Sequence, residues 1–448
     1  MTKSKLFLFL ALFLWGCQPR AINLQPPAQM ESFTQSTSKR AVRRANADIA
    51  DEFLDFMFRT ENGNALPIFT RFNEPVIISI DPNFSEFVQR ELRSLIARIR
   101  IEAGIDITTS TQTKMANIYL HAIPLSTLQK RAPGATCFTV PNARSLREFK
   151  RNWRSGQSRW RDVTVRKVAS IFIPSDQPPQ VQRDCLHEEL AQTLGPLNDL
   201  YRVPDSVFND DNVRRVLTPY DMLILRITYA KELQNGMTQT QVATLLPRIL
   251  KRLNPQGQRI EAKGNTLASE WSQIIGKTYR LGTPADQRII WARKAHKLAL
   301  TKNLGPHRTA LSVIAQARVA QNLHPNTRAN LYQQAIDLFN DAHGAGNVYS
   351  GIATQELAFT LFRLGQVNQA EAFLPQITKT ANTLQDGELM FMALHLQAAI
   401  ATKRGKTAKA KALVAQARGW GLYALGNHQR VAQIEQELGS LHPSVQEN

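Results

Sequence analysis

Cys185-Leu-His-Glu-Glu-Leu-Ala-Gln-Thr-Leu-Gly-Pro-Leu-Asn-Asp199 is the stretch on which the fold of the first half of the chain turns. With the residues just before it, it predicts a helix from about Val181 to Leu194, ended by Gly195-Pro196. Upstream, Lys167 to Pro174 carries Val168, Ile171 and Ile173 and predicts a strand. Ile105 to Thr109 and Ala116 to Ala122 predict two more, and Pro75-Val-Ile-Ile-Ser-Ile80 another, β-branched and bounded by Pro and Asp-Pro. Phe84, Phe87, Val88, Leu92, Leu95, Ile96 and Ile99 recur at helical spacing and predict a helix to about Ala103; a shorter one runs from Ala50 to Phe58. A strand, a long helix, several strands and a second long helix make an α+β domain.

Downstream, strand signals vanish from about residue 260, leaving Ala- and Leu-rich helix broken by Gly, Pro and polar turns. Ala358, Gly365, Ala370 and Ala372 recur, shifted by about forty residues, as Ala398, Gly405, Ala410 and Ala412. Small residues at those spacings let antiparallel helices approach closely around a Gly turn. The pattern resembles the tetratricopeptide repeat, at a longer period than the usual ~34 residues. That resemblance implies a helical solenoid with a protein-binding face; a non-repetitive bundle is the plainer alternative.

The chemistry is concentrated in the opening stretch. His187-Glu188 begins an H-E-x-x-H zinc helix, but position 191 is Ala, so the second ligand one turn on is missing. Shifted by one residue, Glu188-Glu189-x-x-Gln192-x-x-Gly195-x-x-Asn198 has the spacing of the metzincin motif H-E-x-x-H-x-x-G-x-x-H. The resemblance puts the general base on Glu189 and the turn glycine on Gly195, with Glu188, Gln192 and Asn198 where the family has histidines. Ser206-Val207-Phe208 falls at the Met-turn, with Phe for Met, and Leu217-Thr-Pro-Tyr-Asp221 resembles the closing helix of matrix-type peptidases. Together with Asn235-Gly-Met-Thr238, these motifs resemble an uncharacterised family of bacterial exported proteins with a zincin-like look, over about residues 50 to 245. That resemblance implies a fold and no established activity. One carboxylate and two amides, with Asp199 as a further carboxylate, form a hard oxygen site better suited to Ca²⁺, Mg²⁺ or Mn²⁺ than to zinc. The residues assign no cofactor, and a divalent metal is the one candidate. His187 stands about 100° off the Glu188–Gln192 face and reads as a partly exposed histidine. No G-x-S-x-G elbow or phosphate-binding glycine loop is present. Adjacent Glu188 and Glu189 diverge too far to act as a glycosidase pair.

The start of the chain sets the compartment. Lys3 and Lys5 precede an apolar run, Leu6 to Trp15, long enough for a signal peptide and too short to span a bilayer. Leu14-Trp15-Gly16-Cys17 resembles the bacterial lipobox, with Trp15 at a position usually small. The resemblance implies lipidation of Cys17 and a periplasmic protein held by lipid; Gln18 favours the inner leaflet of the outer membrane over the inner membrane. Of three cysteines, lipid takes Cys17, and an oxidising periplasm pairs Cys137 with Cys185. The net charge is +19, from 55 basic and 36 acidic residues. In an exported protein this points to anionic envelope components and away from nucleic acid. Much of the charge lies between Arg144 and Lys167, where Arg147, Lys150, Arg151, Arg154, Arg159, Arg161 and Arg166 alternate with Phe149, Trp153 and Trp160. This is either an anionic-surface site or a solvated loop over packed aromatics.

The expectation is therefore a signal peptide and lipobox at 1–17, a flexible tether at 18–45, a zincin-like α+β domain at 46–259 and an α-helical tetratricopeptide-like repeat domain at 260–448. A non-catalytic binding or scaffolding lipoprotein, with a protein partner on the repeats, is the first reading. An active metal-dependent peptidase with Glu189 as base is the second, and the residues leave the choice open.

Overall fold

The structure is a computed structural model that describes residue 33 and residues 41–438, apart from 62, 210, 263–268, 281, 321 and 322. The lipobox with Cys17, and the tether up to residue 40 except Phe33, lie outside the described residues. Among the described residues no helix is long and apolar enough to cross a membrane. The chain divides into two compact units: an α/β unit up to Asn265, which also takes in Leu422–His428, and a helical unit from Thr266 onward.

In the α/β unit the elements run α1 (Asn46–Phe58), β1 (Val76–Ile80), α2 (Glu86–Arg98), β2 (Ile107–Thr109), β3 (Ile118–Ile123), α3 (Leu125–Gln129), β4 (Phe138–Pro141), α4 (Leu146–Ser155), β5 (Ala169–Pro174), α5 (Pro179–Leu194), α6 (Pro219–Thr228) and α7 (Gln239–Leu253). The sheet order is β2-β1-β3-β5-β4. β1 pairs in parallel with β2 and β3, and β3 with β5, as helical crossovers require. β4 is antiparallel to β5 and closes that edge. Every residue of β5 is buried, which suits a strand with neighbours on both sides. The unit is thus mixed α/β, and most of its elements fall where the apolar periodicity predicts them.

β4, α3 and α4 are among the elements that lie beyond that periodicity. β4 has four residues and takes its register from β5, placing Phe138 opposite Phe172. α3 is a single short helix. α4 replaces the expected loop: Ser145 caps it by accepting the Glu148 N–H at 3.2 Å, and Gly156 ends it at φ +80°. Phe149 on α4 then packs with Leu128, Val140 and Phe172 in one buried cluster. The fold also begins before α1. Val42 and Ala45 are buried, and Arg44 pairs with Glu52 and Asp205 and lies 4.8 Å from the Tyr220 ring centre. Residues 41–45 thus belong to the folded unit, because a paired and stacked guanidinium offsets its own burial.

The helical unit continues with α8 (Ser269–Tyr279), α9 (Ala285–Thr301), α10 (Pro306–Val319), α11 (Pro325–His343), α12 (Val348–Arg363), α13 (Val367–Ala372), α14 (Leu374–Leu384), α15 (Gly387–Lys403), α16 (Thr407–Leu425) and α17 (His428–Leu438). From α8 to α12 each helix packs on the next, then α12 on α14 and α14 on α15. Gly365 and Gly405 both turn the chain at positive φ, 79° and 69°. Ala358, Ala370, Ala398 and Ala410 are fully buried. Ala372 and Ala412 are exposed, so the small residues at those two positions do not serve helix packing. The second helix of the first repeated pair is broken between α13 and α14 at Phe373, next to Pro375, whereas α16 runs unbroken. At Gly351 in α12 a Cβ would meet Thr380 Oγ1 of α14 at 1.9 Å, so these helices cross in contact.

Cys137 and Cys185 form a disulfide across 48 residues of sequence, joining the approach to β4 with α5. By chain entropy, a loop of that length makes the bridge worth about 4 kcal/mol. Urea unfolding of the α/β unit in the full chain, with and without reductant, should show a loss of about 2–4 kcal/mol on reduction.

Candidate functional site

α5 is buried on nearly all sides, with only Val181, Asp184 and Glu188 partly open. A helix in that position must satisfy each polar side chain internally. Gln182 donates to Gln177 O at 2.7 Å, and Thr193 Oγ1 to Glu189 O at 2.7 Å. Thr193 also shares a 2.6 Å hydrogen bond with Thr139 of β4, a second tie between α5 and the edge strand. His187 is fully buried and accepts the Leu217 N–H at Nδ1, 3.1 Å away. This corrects the expectation of a partly exposed histidine. The chain leading to α6 covers it, and burial, with Arg183 and Arg98 nearby, holds its pKa well below the usual value.

The C-terminal end of α5 is closed by Arg166. Its Nη1 donates to Gln192 O and Thr193 O at 2.8 and 2.7 Å, its Nη2 to Gly195 O at 2.6 Å and its Nε to Thr70 Oγ1 at 3.2 Å. The Trp160 ring centre lies 4.8 Å from the guanidinium carbon. Burial lowers the Arg166 pKa to about 10, which leaves the group charged at neutral pH. A cation here meets the negative end of the helix dipole and the carbonyls that the helix leaves unbonded. At Gly195 a Cβ would stand 2.9 Å from Thr228 Cγ2, so glycine is what lets α6 approach the turn. Tyr229, just beyond α6, donates to Leu194 O at 3.2 Å.

The structure places the predicted ligand-position residues around this turn. Gln192 is buried, and its amide donates to Glu61 Oε1 at 3.1 Å; Asn198 is buried, and its amide donates to Asp55 O at 3.1 Å. Glu188 and Asp199 are half-buried. Glu189 is 5 % exposed, and its Oε2 is buried without a hydrogen-bond partner. Burial first, then the like charges of Glu188, Glu61 and Asp199, push the Glu189 pKa well above the ordinary carboxylate value. These carboxyls therefore influence one another at the turn, and among the described residues no group of three His, Cys, Asp or Glu is placed to hold a metal ion. Glu61 is the member that sequence reading missed. Its signal is the glycine after α1: Gly63, at φ +75°, donates its N–H to Thr60 O at 2.7 Å, and Glu61 N–H donates to Leu197 O at 3.2 Å.

Downstream, Leu200 N–H donates to Phe208 O at 2.9 Å, placing the Ser206-Val207-Phe208 segment against the chain that leaves the turn. Phe208 is fully buried and meets Phe56 edge to face. Asp221 accepts from Ser206 Oγ at 2.5 Å, Val207 N at 3.2 Å and Thr218 N at 2.7 Å, so one carboxylate fixes both this segment and the start of α6.

Residues 46–248 match the family described as Protein of unknown function (DUF2927). No curated protein and no solved structure matches the chain. The matched stretch runs from the first residue of α1 into α7 and contains α5, its turn and the whole sheet.

Of the basic residues from Arg144 to Lys167, Arg166 alone is buried; Arg147, Lys150, Arg151, Arg154, Arg159 and Arg161 are all exposed.

Arg166→Met should destabilise the chain by about 3–5 kcal/mol, because buried carbonyls lose a charged donor; urea unfolding measures this. For Glu189 the folded pKa lies above the ordinary 4.5. Its contribution to stability is therefore full below that value and is lost as pH rises through the folded pKa. Glu189→Gln should gain stability on wild type as pH rises above the ordinary carboxylate range, read by urea unfolding at successive pH values. Parallel pH curves for the two proteins would refute this.

Proposed function

We propose that the protein is a lipid-anchored envelope lipoprotein with a binding or scaffolding role, in which a degenerate zincin-like domain has lost catalysis and the helical unit holds a protein partner. The observation that carries this reading is how the ligand positions are used. Of the three side chains at metzincin ligand positions, Gln192 and Asn198 commit their amides to Glu61 and to Asp55 O, within the fold. Gln192 and Asn198 thus tie the turn down as parts of the scaffold, and a Lewis acid would have only weak oxygen donors there.

The zincin-like assignment draws support from the spatial order of the motif's parts. α5 ends at a glycine that α6 crowds, and the Phe208 segment is bonded to the chain just past the turn. The tetratricopeptide-like assignment draws support from the successive packing of helices and the paired turns at Gly365 and Gly405. An open face of α11 presents Asn330, Gln333, Gln334, Asp337, Leu338 and Asp341. Amides and carboxylates at that spacing offer hydrogen bonds to the backbone of an extended peptide. Anchoring by lipid on Cys17, in the periplasm and facing it from the outer membrane, completes the reading.

One observation favours the rival peptidase reading: Glu189, at the general-base position, keeps an unbonded oxygen. The deciding assay incubates the full chain with a peptide library in the presence of Zn²⁺, Mn²⁺, Ca²⁺ or chelator. No cleavage above a Glu189→Gln control is expected under any condition. Metal-dependent cleavage that Glu189→Gln abolishes would replace the binding reading with the enzymatic one. In cells fed labelled palmitate, wild type should incorporate label and Cys17→Ala should not; unlabelled wild type would remove the anchor.

A further inference from the structure

Arg147, Lys150, Arg151 and Arg154 recur at helical spacing on α4, so they share one stripe about 10 Å long. All four are exposed. Exposed Arg144, Arg159, Arg161 and Lys167 extend the cationic ground on either side. The acidic residues within it are locally engaged. Glu148 accepts the Arg144 N–H at 2.7 Å and lies 3.5 Å from Arg151 Nη2, and Asp162 lies 3.9 Å from Arg161 Nε. At the border between this stripe and the buried side of α4 stands Trp153, 58 % exposed. Its ring centre is 5.7 Å from that of Phe149, which is itself part of the core cluster. Folding therefore anchors α4 through Phe149 and leaves an indole in water beside a row of cations. That exposure gives the isolated fold nothing, whereas at a membrane interface an indole and neighbouring guanidinium groups are both favoured.

We propose that this face of α4 and the loop after it dock on the anionic head-group surface of a phospholipid bilayer, with the cations on phosphates and Trp153 at head-group depth. Charge complementarity selects the sign of the partner. The layout selects its form: the cations are spread along a helix and into water, so an extended anionic plane engages several at once where a discrete ligand would engage few. The proposal is independent of the zincin-like reading and of the protein partner.

The test uses the full chain carrying Cys17→Ser, so that no acyl chain contributes, and flotation on vesicles of pure phosphatidylcholine or with about one-third phosphatidylglycerol. The expected result is a preference for the anionic vesicles that salt removes. Each exposed cation contributes about fivefold to partitioning, so the pairs Lys150→Ala/Arg151→Ala and Arg147→Ala/Arg154→Ala should each lower anionic binding by about 25-fold. The pair Lys409→Ala/Lys411→Ala removes the same charge from exposed positions of α16 and should change binding little. Two independent α4 pairs keep the test decisive if one of them fails to fold. Equal binding to both vesicle types, or an equal loss in the α16 pair, would overturn the proposal. So would duplex DNA displacing the chain from vesicles at matched phosphate, which would assign the face to nucleic acid instead.

Discussion

A helix buried on almost every side cannot leave its last carbonyls to water, and α5 resolves this with the Arg166 guanidinium, helped by the Tyr229 hydroxyl on Leu194 O. Arg166 reaches Gln192 O, Thr193 O and Gly195 O from the segment that enters β5, while Thr70 and the Trp160 ring hold it from the other side. The end of α5, the start of β5 and the loop before β1 are fixed to one another by that contact. Around the same turn Gly195 meets Thr228, Gln192 meets Glu61 and Asn198 meets Asp55. The Thr139–Thr193 hydrogen bond ties the same end of α5 to the edge strand β4, and the disulfide from Cys185 ties the helix farther back to the residue just before β4.

Around that turn, the buried polar side chains Gln192 and Asn198 are bonded within the fold. The Gln192 amide donates to Glu61 and the Asn198 amide to Asp55 O, so both tie the chain near α1 to the turn. The glutamate at the base position is buried among other carboxyls, and its high pKa follows from that company.

The charge of the chain divides in the same way between architecture and surface. Arg44 and Arg166 are spent inside the α/β unit, one on carboxylates and a tyrosine ring, the other on carbonyls and a tryptophan ring. The α4 stripe keeps its cations in solvent. Net charge counts both kinds alike, which is why composition points to an anionic partner without locating it.

The sequence alone determines the elements whose burial is one-sided or complete: α2, β1, β3, β5 and α5 follow from apolar spacing, and Gly195 from the motif. It also predicts the pairing of Cys137 with Cys185, from compartment and count. It could not supply β4, because four residues carry no period and Phe138 gains its place only opposite Phe172. It does not predict α4, because cations dominate that segment, whereas the helix is held by the Ser145 cap and by Phe149 entering a core assembled from β4, β5 and α3. His187 looked exposed because helical phase alone cannot show that the chain before α6 covers it. Glu61 and Arg166 lie far in sequence from the turn they complete, and only the tertiary structure brings them there. Local spacing fixes which face of an element is apolar; which distant polar group meets which helix end is decided by the packing of the whole unit.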